Sequence, residues 1–246
     1  MIKSEFLTRL SGLFVFYRWH PEVALRYLPI VDQIQKLEGN LNILDIGSGG
    51  LGIAPYIRRE VTGIDLKFSP PFHPALKKVT ANATKLPFKN NTYDVVVSVD
   101  MLEHLNANNR LLAIDEMLRV VRKVLFIAVP CGDISAKQDR ELDKLYFDKY
   151  KTHYHFLEEQ LSFGLPEAGD IKKSIIFSAK RMHKKIRMTE EGNESLKLRR
   201  FLMKGFISDN IIINIFFRKL LLFGLPFIQN LNSKPTYRKI FKVDLI

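Results

Sequence analysis

Five short apolar runs, separated by longer amphipathic stretches, constrain the fold of this chain most strongly. They occupy residues 42–46, 61–64, 78–81, 94–99 and 124–129. Continuous Val, Ile and Leu, rather than alternating polar and apolar residues, indicate strands that are buried on both faces. The spacing between the runs suits helical crossovers between parallel strands. We therefore predict a doubly wound α/β sheet.

The flanking segments complete the predicted fold. Residues 3–38 predict two helices that cap the core and stop at Gly39. Later in the chain, residues 158–170 predict a helix closed by a Gly/Pro turn, residues 172–180 a sixth strand and residues 235–246 a seventh strand. The connection between these last strands is too long for a simple loop and too apolar for disorder.

These elements predict one domain over residues 1–246, since a chain of this length suits a single α/β core. Residues 1–40 are the N-terminal capping helices, 41–181 and 235–246 the core, and 182–234 a basic and apolar helical insert. The apolar stretch at 13–17 is short and lacks a cleavage site, so we expect no signal peptide. Cys131 is the one cysteine, which excludes an internal disulfide and suits a reducing cytoplasm.

The stretch LDIGSGGLG, residues 44–52, follows the first predicted strand. Its glycines Gly47, Gly49 and Gly52 have the spacing G-x-G-x-x-G. Such spacing lets the backbone approach a ligand closely at a strand-to-helix turn, where helix N-terminal amides face the ligand. The pattern alone fits a dinucleotide, another nucleoside ligand or only a tight turn.

Acidic residues near this loop distinguish between the ligands. Asp45 stands two residues before Gly47, where a carboxylate would repel a pyrophosphate but suits the ammonium and sulfonium groups of S-adenosylmethionine. Asp65 ends the second run, where it can accept hydrogen bonds from the ribose hydroxyls of either cofactor. The fourth run ends in Ser98 and Asp100, which supply a polar edge. These features favour S-adenosylmethionine over NAD.

Five stretches resemble the class I S-adenosylmethionine-dependent methyltransferases, specifically the type-11 group. In chain order they are ILDIGSGG, VTGIDL, ANATKLPF, YDVVVSVDMLEHL and EMLRVVRKVLFIAVP. The resemblance covers about residues 40–130. It implies a Rossmann-like sheet of seven strands, mostly parallel with an antiparallel C-terminal strand and with helices on both faces. It also implies S-adenosyl-L-methionine as the cofactor and leaves the substrate open.

The resemblance also implies which residues contact the cofactor. These are Asp45, Gly47, Ser48, Gly49, Asp65, Leu66, Asn82, Ala83, Ser98 and Asp100. Two positions depart from the family pattern. Leu51 replaces the usual third glycine, and Asn82 replaces the usual aspartate at the adenine edge. An amide oxygen can still accept a hydrogen bond from the adenine amino group, so we expect weaker binding rather than none.

Methyl transfer from a sulfonium is an in-line displacement, in which the protein mainly aligns the acceptor and excludes water. A hydroxyl acceptor must also lose its proton. His104 follows Asp100 by four residues and is the candidate general base. The alternative is that Glu103 and His104 open the next helix and make only structural hydrogen bonds.

The same residues also resemble a metal site. Asp100, Glu103 and His104 match an acidic-x-x-Glu-His pattern that holds Mg²⁺ in some quinone and small-RNA methyltransferases, with His153 or His155 as a further ligand. Many members of the group carry the Leu-Glu-His sequence without a metal, so we predict no metal. The two downstream histidines then line or cover the acceptor pocket, or simply pack.

Positive charge is concentrated late in the chain. The net charge is +12, and residues 171–204 contain eleven Lys and Arg against three Glu. A solvated basic face and an anionic partner both fit this pattern. The following stretch, residues 209–231, is very apolar but too short, and too charged at 218–219, to span a bilayer.

A helical wheel separates two faces of this stretch. Asn210, Asn214 and Arg218 share a narrow polar stripe. The broad apolar face contains Ile211, Ile212, Ile215, Phe216 and Leu222. Residues 195–231 therefore predict interfacial binding to an anionic leaflet. Packing of these helices on the core, or a dimer contact, is the alternative.

Together these observations predict an enzyme that methylates a small-molecule or lipid-linked acceptor, with a hydroxyl as the expected target. We expect it in the cytoplasm or at the inner face of the membrane. An RNA methyltransferase that uses the basic insert is one alternative. A non-catalytic S-adenosylmethionine-binding protein is the other.

Overall fold

The computed structural model describes residues 19–229 and 231–246. The first of the two predicted N-terminal helices, and the apolar stretch at 13–17, lie outside these described residues. The second predicted helix is present as α1 (Pro21–Ile34). Its buried residues recur at helical spacing and face the core.

A seven-stranded sheet forms the centre of the chain. The strands are β1 (Ile43–Ile46), β2 (Val61–Asp65), β3 (Leu76–Thr80), β4 (Tyr93–Val99), β5 (Val121–Pro130), β6 (Ile186–Ser195) and β7 (Thr236–Leu245). Their spatial order is β3-β2-β1-β4-β5-β7-β6. The first five strands are parallel, and β7 runs antiparallel between β5 and β6. The predicted fold class, a mostly parallel Rossmann-like sheet, is confirmed.

The central strands are buried on both faces. Every residue of β1 and β4 is buried. In β4, Val95 and Val97 pack into one apolar cluster, whereas Val96 packs into the cluster on the opposite face. Successive side chains of a strand point to opposite faces, so a strand covered on both sides needs apolar residues at consecutive positions. This is the physical origin of the continuous runs in the sequence.

Helices cover both faces of the sheet. After α1 they are α2 (Ala54–Ile57), α3 (Ala107–Val120), α4 (Gly132–Tyr150), α5 (His155–Phe163), α6 (Ala168–Arg181), α7 (Leu196–Ile207), α8 (Ile211–Ile215) and α9 (Leu221–Ile228). A 3-10 turn occupies Leu102–His104, and a π-helical turn, Phe216–Leu220, joins α8 to α9. Apolar residues of α1, α7 and α9 pack on one face of the sheet, and those of α3 and α6 on the other.

The prediction of a sixth strand at residues 172–180 is wrong, because these residues lie in α6. Ile171, Ile175 and Ala179 are buried at four-residue spacing, while Ile176 and Phe177 between them are exposed. Burial at this period is helical. The β-branched residues favour a strand locally, but packing against α3 overrides that preference.

The sixth strand is instead β6, which lies inside the segment predicted as a helical insert. Its first seven residues alternate between half-buried and exposed, as expected for a strand at the edge of a sheet. The helical part of the insert therefore begins only at Leu196. The predicted C-terminal strand is confirmed as β7, and the predicted helix at 158–170 is present as α5, which ends at a turn on Gly164.

Candidate active site

A cavity of about 600 Å³ opens at the carboxyl ends of β1, β2 and β4. This is the edge at which doubly wound sheets bind ligands, and the volume lies in the range of small-molecule sites. One half is lined by the loops that follow the strands. Its lining residues include Gly47, Asp65, Leu66, Asn82, Ala83 and Asp100. The other half is formed by α1, α5 and α7, so the N-terminal helix is a wall of the cavity as well as a cap on the core.

The loop after β1 requires glycine for two different reasons. Gly47 has φ +80°, and a Cβ atom there would lie 2.5 Å from Cγ of Met101. Gly52 has φ +50°, and its Cβ would lie 2.3 Å from Oδ2 of Asp45. Left-handed backbone and such close contacts exclude a side chain at both positions. The loop therefore enters α2 through Gly52, which explains how Leu51 can replace the glycine of the family pattern.

Asp45 lies beneath this loop and is not part of the cavity lining. Its Oδ2 accepts a hydrogen bond from the backbone N–H of Ile53, with a distance of 2.7 Å. Burial raises the pKa of Asp45 to about 7. Asp45 therefore holds the loop against the start of α2. A contact of its carboxylate with the ammonium group of a cofactor stays a prediction.

This buried carboxyl group predicts a pH dependence of stability. The pKa of Asp45 is about 7 in the folded chain and has its ordinary value of 3.8 when unfolded. Between these two pH values the folded state binds more protons than the unfolded state. Protonation of Asp45 therefore stabilises the folded state, and this stabilisation is lost as pH rises from about 4 to about 7. In Asp45→Asn, which keeps an acceptor for Ile53, we expect this loss, up to about 4 kcal/mol, to disappear. Urea unfolding of both proteins across this pH window measures it, and parallel stability curves would contradict the prediction.

The other predicted cofactor residues of these loops and strands are Ser48, Gly49 and Ser98. Ser48 and Ser98 are buried and, like Gly49, are not among the lining residues. The N–H of Gly49 donates to Oδ2 of Asp65 over 2.9 Å. The role of Gly49 in this structure is therefore to orient the Asp65 carboxylate, which itself lines the cavity. Direct cofactor contacts from Ser48, Gly49 and Ser98 stay predictions.

The residues at the predicted ribose and adenine edge line the cavity together. Asp65 follows Ile64 at the end of β2, and Leu66 is exposed beside it. Asn82 also lines the cavity. Its Oδ1 accepts hydrogen bonds from the N–H and the hydroxyl of Thr84, each over 2.9 Å. The amide oxygen is thus engaged within its own turn. The amide NH₂ of Asn82 is the group suited to bind a ring nitrogen of adenine.

Asp100 is held by two arginines, Arg26 and Arg238, which no sequence pattern places near it. Arg238 of β7 donates both Nε and Nη2 to the Asp100 carboxylate, and Nη1 of Arg26 lies 3.0 Å from it. Burial acts to raise the pKa of Asp100, but the two guanidinium groups keep that pKa below its usual value. Arg238 also donates to Asn193 and Glu194, over 3.0 Å in each case. Asp100 is therefore an ionised residue of fixed orientation in the cavity wall.

Glu103 is a buried acid in the lining of the same cavity. Burial, and next the negative charge of Asp100, raise the pKa of Glu103 well above its usual value. The raised pKa favours the protonated carboxyl group, which can donate a hydrogen bond. The sequence offered Glu103 only as a structural residue or a metal ligand, since its neighbours in space were not known.

His104 lines the cavity and forms a pair with Glu159 of α5. Its Nδ1 lies 2.9 Å from Oε2 of Glu159. An ionised glutamate favours the tautomer with the proton on Nδ1, which leaves Nε2 as the basic nitrogen. The ring of Phe156 packs edge-on against the imidazole, with centroids 6.2 Å apart. This arrangement is the one a general base requires, namely a histidine oriented by a carboxylate.

The downstream histidines do not join this pair. Nδ1 of His153 lies 2.6 Å from Oδ2 of Asp143, and neither His153 nor His155 lines the cavity, whereas Tyr154 between them does. Over residues 19–229 and 231–246, no three His, Cys, Asp or Glu side chains are grouped in a way that could hold a metal ion.

The second half of the cavity combines aromatic and aliphatic side chains with buried arginines. Arg199 of α7 lies 2.6 Å from Asp139, and its guanidinium stacks 3.5 Å above the ring of Tyr237. The apolar lining residues here are Val23, Tyr154, Phe156, Leu157, Met203 and Phe206. This half offers an apolar pocket with ion-paired guanidinium groups at its wall.

Comparison with known proteins identifies the class of domain. Residues 44–127 match the family described as methyltransferase domain, type 11. An uncharacterized protein of Methanocaldococcus jannaschii is 28% identical over 133 residues, a match that covers 46% of this chain and 59% of that protein. Residues 44–127 contain the glycine loop, strands β2 to β4 and most of β1 and β5.

Solved structures share the fold. Phosphoethanolamine N-methyltransferase 2 of Haemonchus contortus, in complex with S-adenosyl-L-methionine, has a TM-score of 0.53 and 17% identity, over 88% of this chain and 51% of its own. A Haloferax volcanii protein described as a methyltransferase, in complex with the Trm112 methyltransferase activator, has a TM-score of 0.54 and 10% identity, over 97% and 96% of the two chains. The present chain thus spans about half of the Haemonchus protein.

Fold and sequence therefore define the same class. The chain has the fold of the class I S-adenosylmethionine-dependent methyltransferases. Within that class, residues 44–127 carry the type-11 methyltransferase domain, which confirms the resemblance stated from the sequence.

Proposed function

We propose that the protein transfers a methyl group from S-adenosyl-L-methionine to a hydroxyl group of a small-molecule or lipid-linked acceptor. The observation that carries this proposal is the continuity of the cavity. One wall carries Gly47, Asp65 and Asn82 at the strand ends, and the opposite wall carries the His104–Glu159 pair beside an apolar pocket. A donor and an acceptor bound in one enclosed space can meet in line.

The residues of this chain have distinct tasks in that reaction. When bound, S-adenosylmethionine supplies an electrophilic methyl group on its sulfonium. Nε2 of His104 would take the proton of the acceptor hydroxyl, so that its oxygen can act as the nucleophile. Glu159 stabilises the resulting imidazolium, and the side chains of α1, α5 and α7 exclude water.

Ion pairing in the basic segment favours this acceptor class over RNA. Of the eleven Lys and Arg in residues 171–204, six form ion pairs within the chain. Lys172 pairs with Glu190, for example, and Arg181 with Asp115. Charges that are already paired gain less by binding phosphates. An apolar pocket beside the base also suits an acceptor with an apolar body.

Ligand binding and methyl transfer test the proposal directly. Calorimetry is expected to show binding of S-adenosylhomocysteine and no binding of NAD. Incubation of the protein with tritiated S-adenosylmethionine and a cell extract, followed by separation into lipid, small-molecule, RNA and protein fractions, then shows where the methyl group goes. Label in the RNA fraction alone would contradict the proposed acceptor. Binding of NAD without S-adenosylhomocysteine would contradict the whole proposal.

Asp65→Ala is expected to weaken S-adenosylhomocysteine binding by roughly tenfold to a hundredfold. An ionised acceptor bonded to ribose hydroxyls contributes about 1.5–3 kcal/mol. The exposed Asp170, which pairs with Lys173 on α6, gives a matched control in Asp170→Ala. Calorimetry measures the affinity of both variants for S-adenosylhomocysteine. Equal affinities would show that Asp65 does not bind the cofactor.

A further inference from the structure

The helical segment after α7 exposes apolar side chains on most of its surface. Leu221, Leu222 and Leu225 are buried against the core. The exposed large apolar side chains of this segment, here named the apolar ridge, are Ile211, Ile212, Ile213, Ile215, Phe216, Leu220, Phe223 and Phe227. Ile212 is 74% exposed and Phe227 is 79% exposed. A concentration of exposed apolar side chains marks a site of interaction with a partner or a membrane.

Positive charge lies beside this ridge. The exposed basic residues of α7, here named the basic stripe, are Lys197, Arg200 and Lys204. Their three- and four-residue spacing places them on one helical face. Phe201 is exposed on the same face, and its ring centroid lies 5.0 Å from that of Phe217 in the following segment. Arg200 pairs with Glu141 and stays half-exposed. The basic stripe and the apolar ridge therefore adjoin.

An anionic bilayer surface is the partner that best fits the apolar ridge together with the basic stripe. Helices with apolar side chains next to Lys and Arg lie in the interface of an anionic leaflet, with the cations among the headgroups. A second copy of the chain, related by a two-fold axis, would bring its own basic stripe close to this one, and like charges oppose such a contact. Within the described residues no helix has the length and apolarity to span a membrane.

We propose that the apolar ridge and the basic stripe bind the surface of an anionic lipid bilayer. The opposite face of α7 carries Arg199, Met203 and Phe206, which line the cavity. The bound lipid surface therefore lies one helix away from the acceptor half of the site. Binding to the bilayer does not require methyl transfer, so the test below and the tests of the proposed function can fail separately.

Flotation of the full chain with vesicles tests this proposal. We expect co-flotation with phosphatidylcholine vesicles that contain about 30% phosphatidylglycerol, and much weaker binding to phosphatidylcholine alone. Ile212→Glu combined with Phe227→Glu is expected to reduce binding by at least about tenfold, because two inserted apolar groups become charged. Ile176→Glu, at a similarly exposed position on α6, is the matched control and should bind like the wild type.

The basic stripe has its own variant. Lys197→Glu combined with Lys204→Glu is expected to weaken binding at about 0.1 M salt, and the difference from wild type should shrink at about 0.5 M salt, where exposed charges are screened. Thermal melts followed by circular dichroism establish that each variant is folded.

Three results would overturn the proposal. The first is absence of flotation with the anionic vesicles. The second is a concentration-dependent dimer, seen by light scattering, that the ridge variant converts to a monomer while vesicles do not bind. The third is flotation that appears only after removal of residues 1–18, which would make that segment the occupant of the ridge in the full chain.

Discussion

Replacing Arg238 with methionine is expected to lower the free energy of unfolding by about 3 kcal/mol or more. Arg238 is 1% exposed and neutralises the buried carboxylates of Asp100 and Glu194. Methionine fills much of the same space but leaves those carboxylates short of a counter-charge, because Arg26 alone remains beside Asp100. Urea unfolding at pH 7 measures the loss.

Arg187→Met is the matched control for this experiment. Arg187 belongs to β6, next to β7, and pairs with Asp244 at 4.0 Å, but its side chain is 73% exposed. Exposed pairs of this kind contribute less than about 1 kcal/mol. Similar losses of unfolding free energy in the Arg187 and Arg238 variants would mean that the burial of Arg238 does not determine how much its ion pairs with Asp100 and Glu194 contribute to stability.

Replacing His104 with alanine is expected to lower the rate of methyl transfer by about a hundredfold or more, the usual range for loss of a general base. Affinity for S-adenosylhomocysteine should stay close to that of the wild type, because the imidazole acts on the acceptor. Single-turnover transfer of a tritiated methyl group, with calorimetry on the same protein, separates the two quantities.

Two further variants make the role of His104 specific. Glu159→Gln keeps the shape of the partner, but its amide can donate a hydrogen bond to Nδ1 and so favour the tautomer with the proton on Nε2; we therefore expect a loss comparable with that of His104→Ala. His153 offers a matched control, since it also pairs with a carboxylate, Asp143, but lies outside the cavity lining. His153→Ala should therefore transfer methyl groups at the wild-type rate. An unchanged rate in His104→Ala would assign the reaction to alignment alone, without a base.

The central parallel strands β1 and β4 were predictable because their side chains must be apolar at consecutive positions, whereas β3 at the edge of the sheet is mostly exposed. Residues 94–99 fit β4 for this reason, since both faces of that strand are covered. The sixth strand was not predictable in the same way. Residues 172–180 contain strand-forming Ile and Phe but lie on a helix. In β6, half-buried and exposed residues alternate, because this strand lies at the edge of the sheet. Tertiary packing decides both cases.

The residues of the candidate site also differ in whether the sequence predicts their positions. Gly47, Asp65 and Asn82 follow strand ends, so their shared edge is a consequence of the topology that the apolar runs already indicated. Arg26 and Arg238 reach the site from α1 and β7, and neither has a local sequence pattern that announces an ion pair. The pair between Asp100 and Arg238 joins residues 138 positions apart, a separation that only the folded structure brings to contact.

That separation has a consequence for biosynthesis. A nascent chain that has emerged from the ribosome only as far as α7 already contains the glycine loop, Asp65 and Asp100, but not the strand that supplies Arg238. Loop closure over so long a span is slow compared with local helix formation. The cavity wall at Asp100 is therefore completed late, when β7 inserts between β5 and β6 and brings the Arg238 guanidinium to the Asp100 carboxylate.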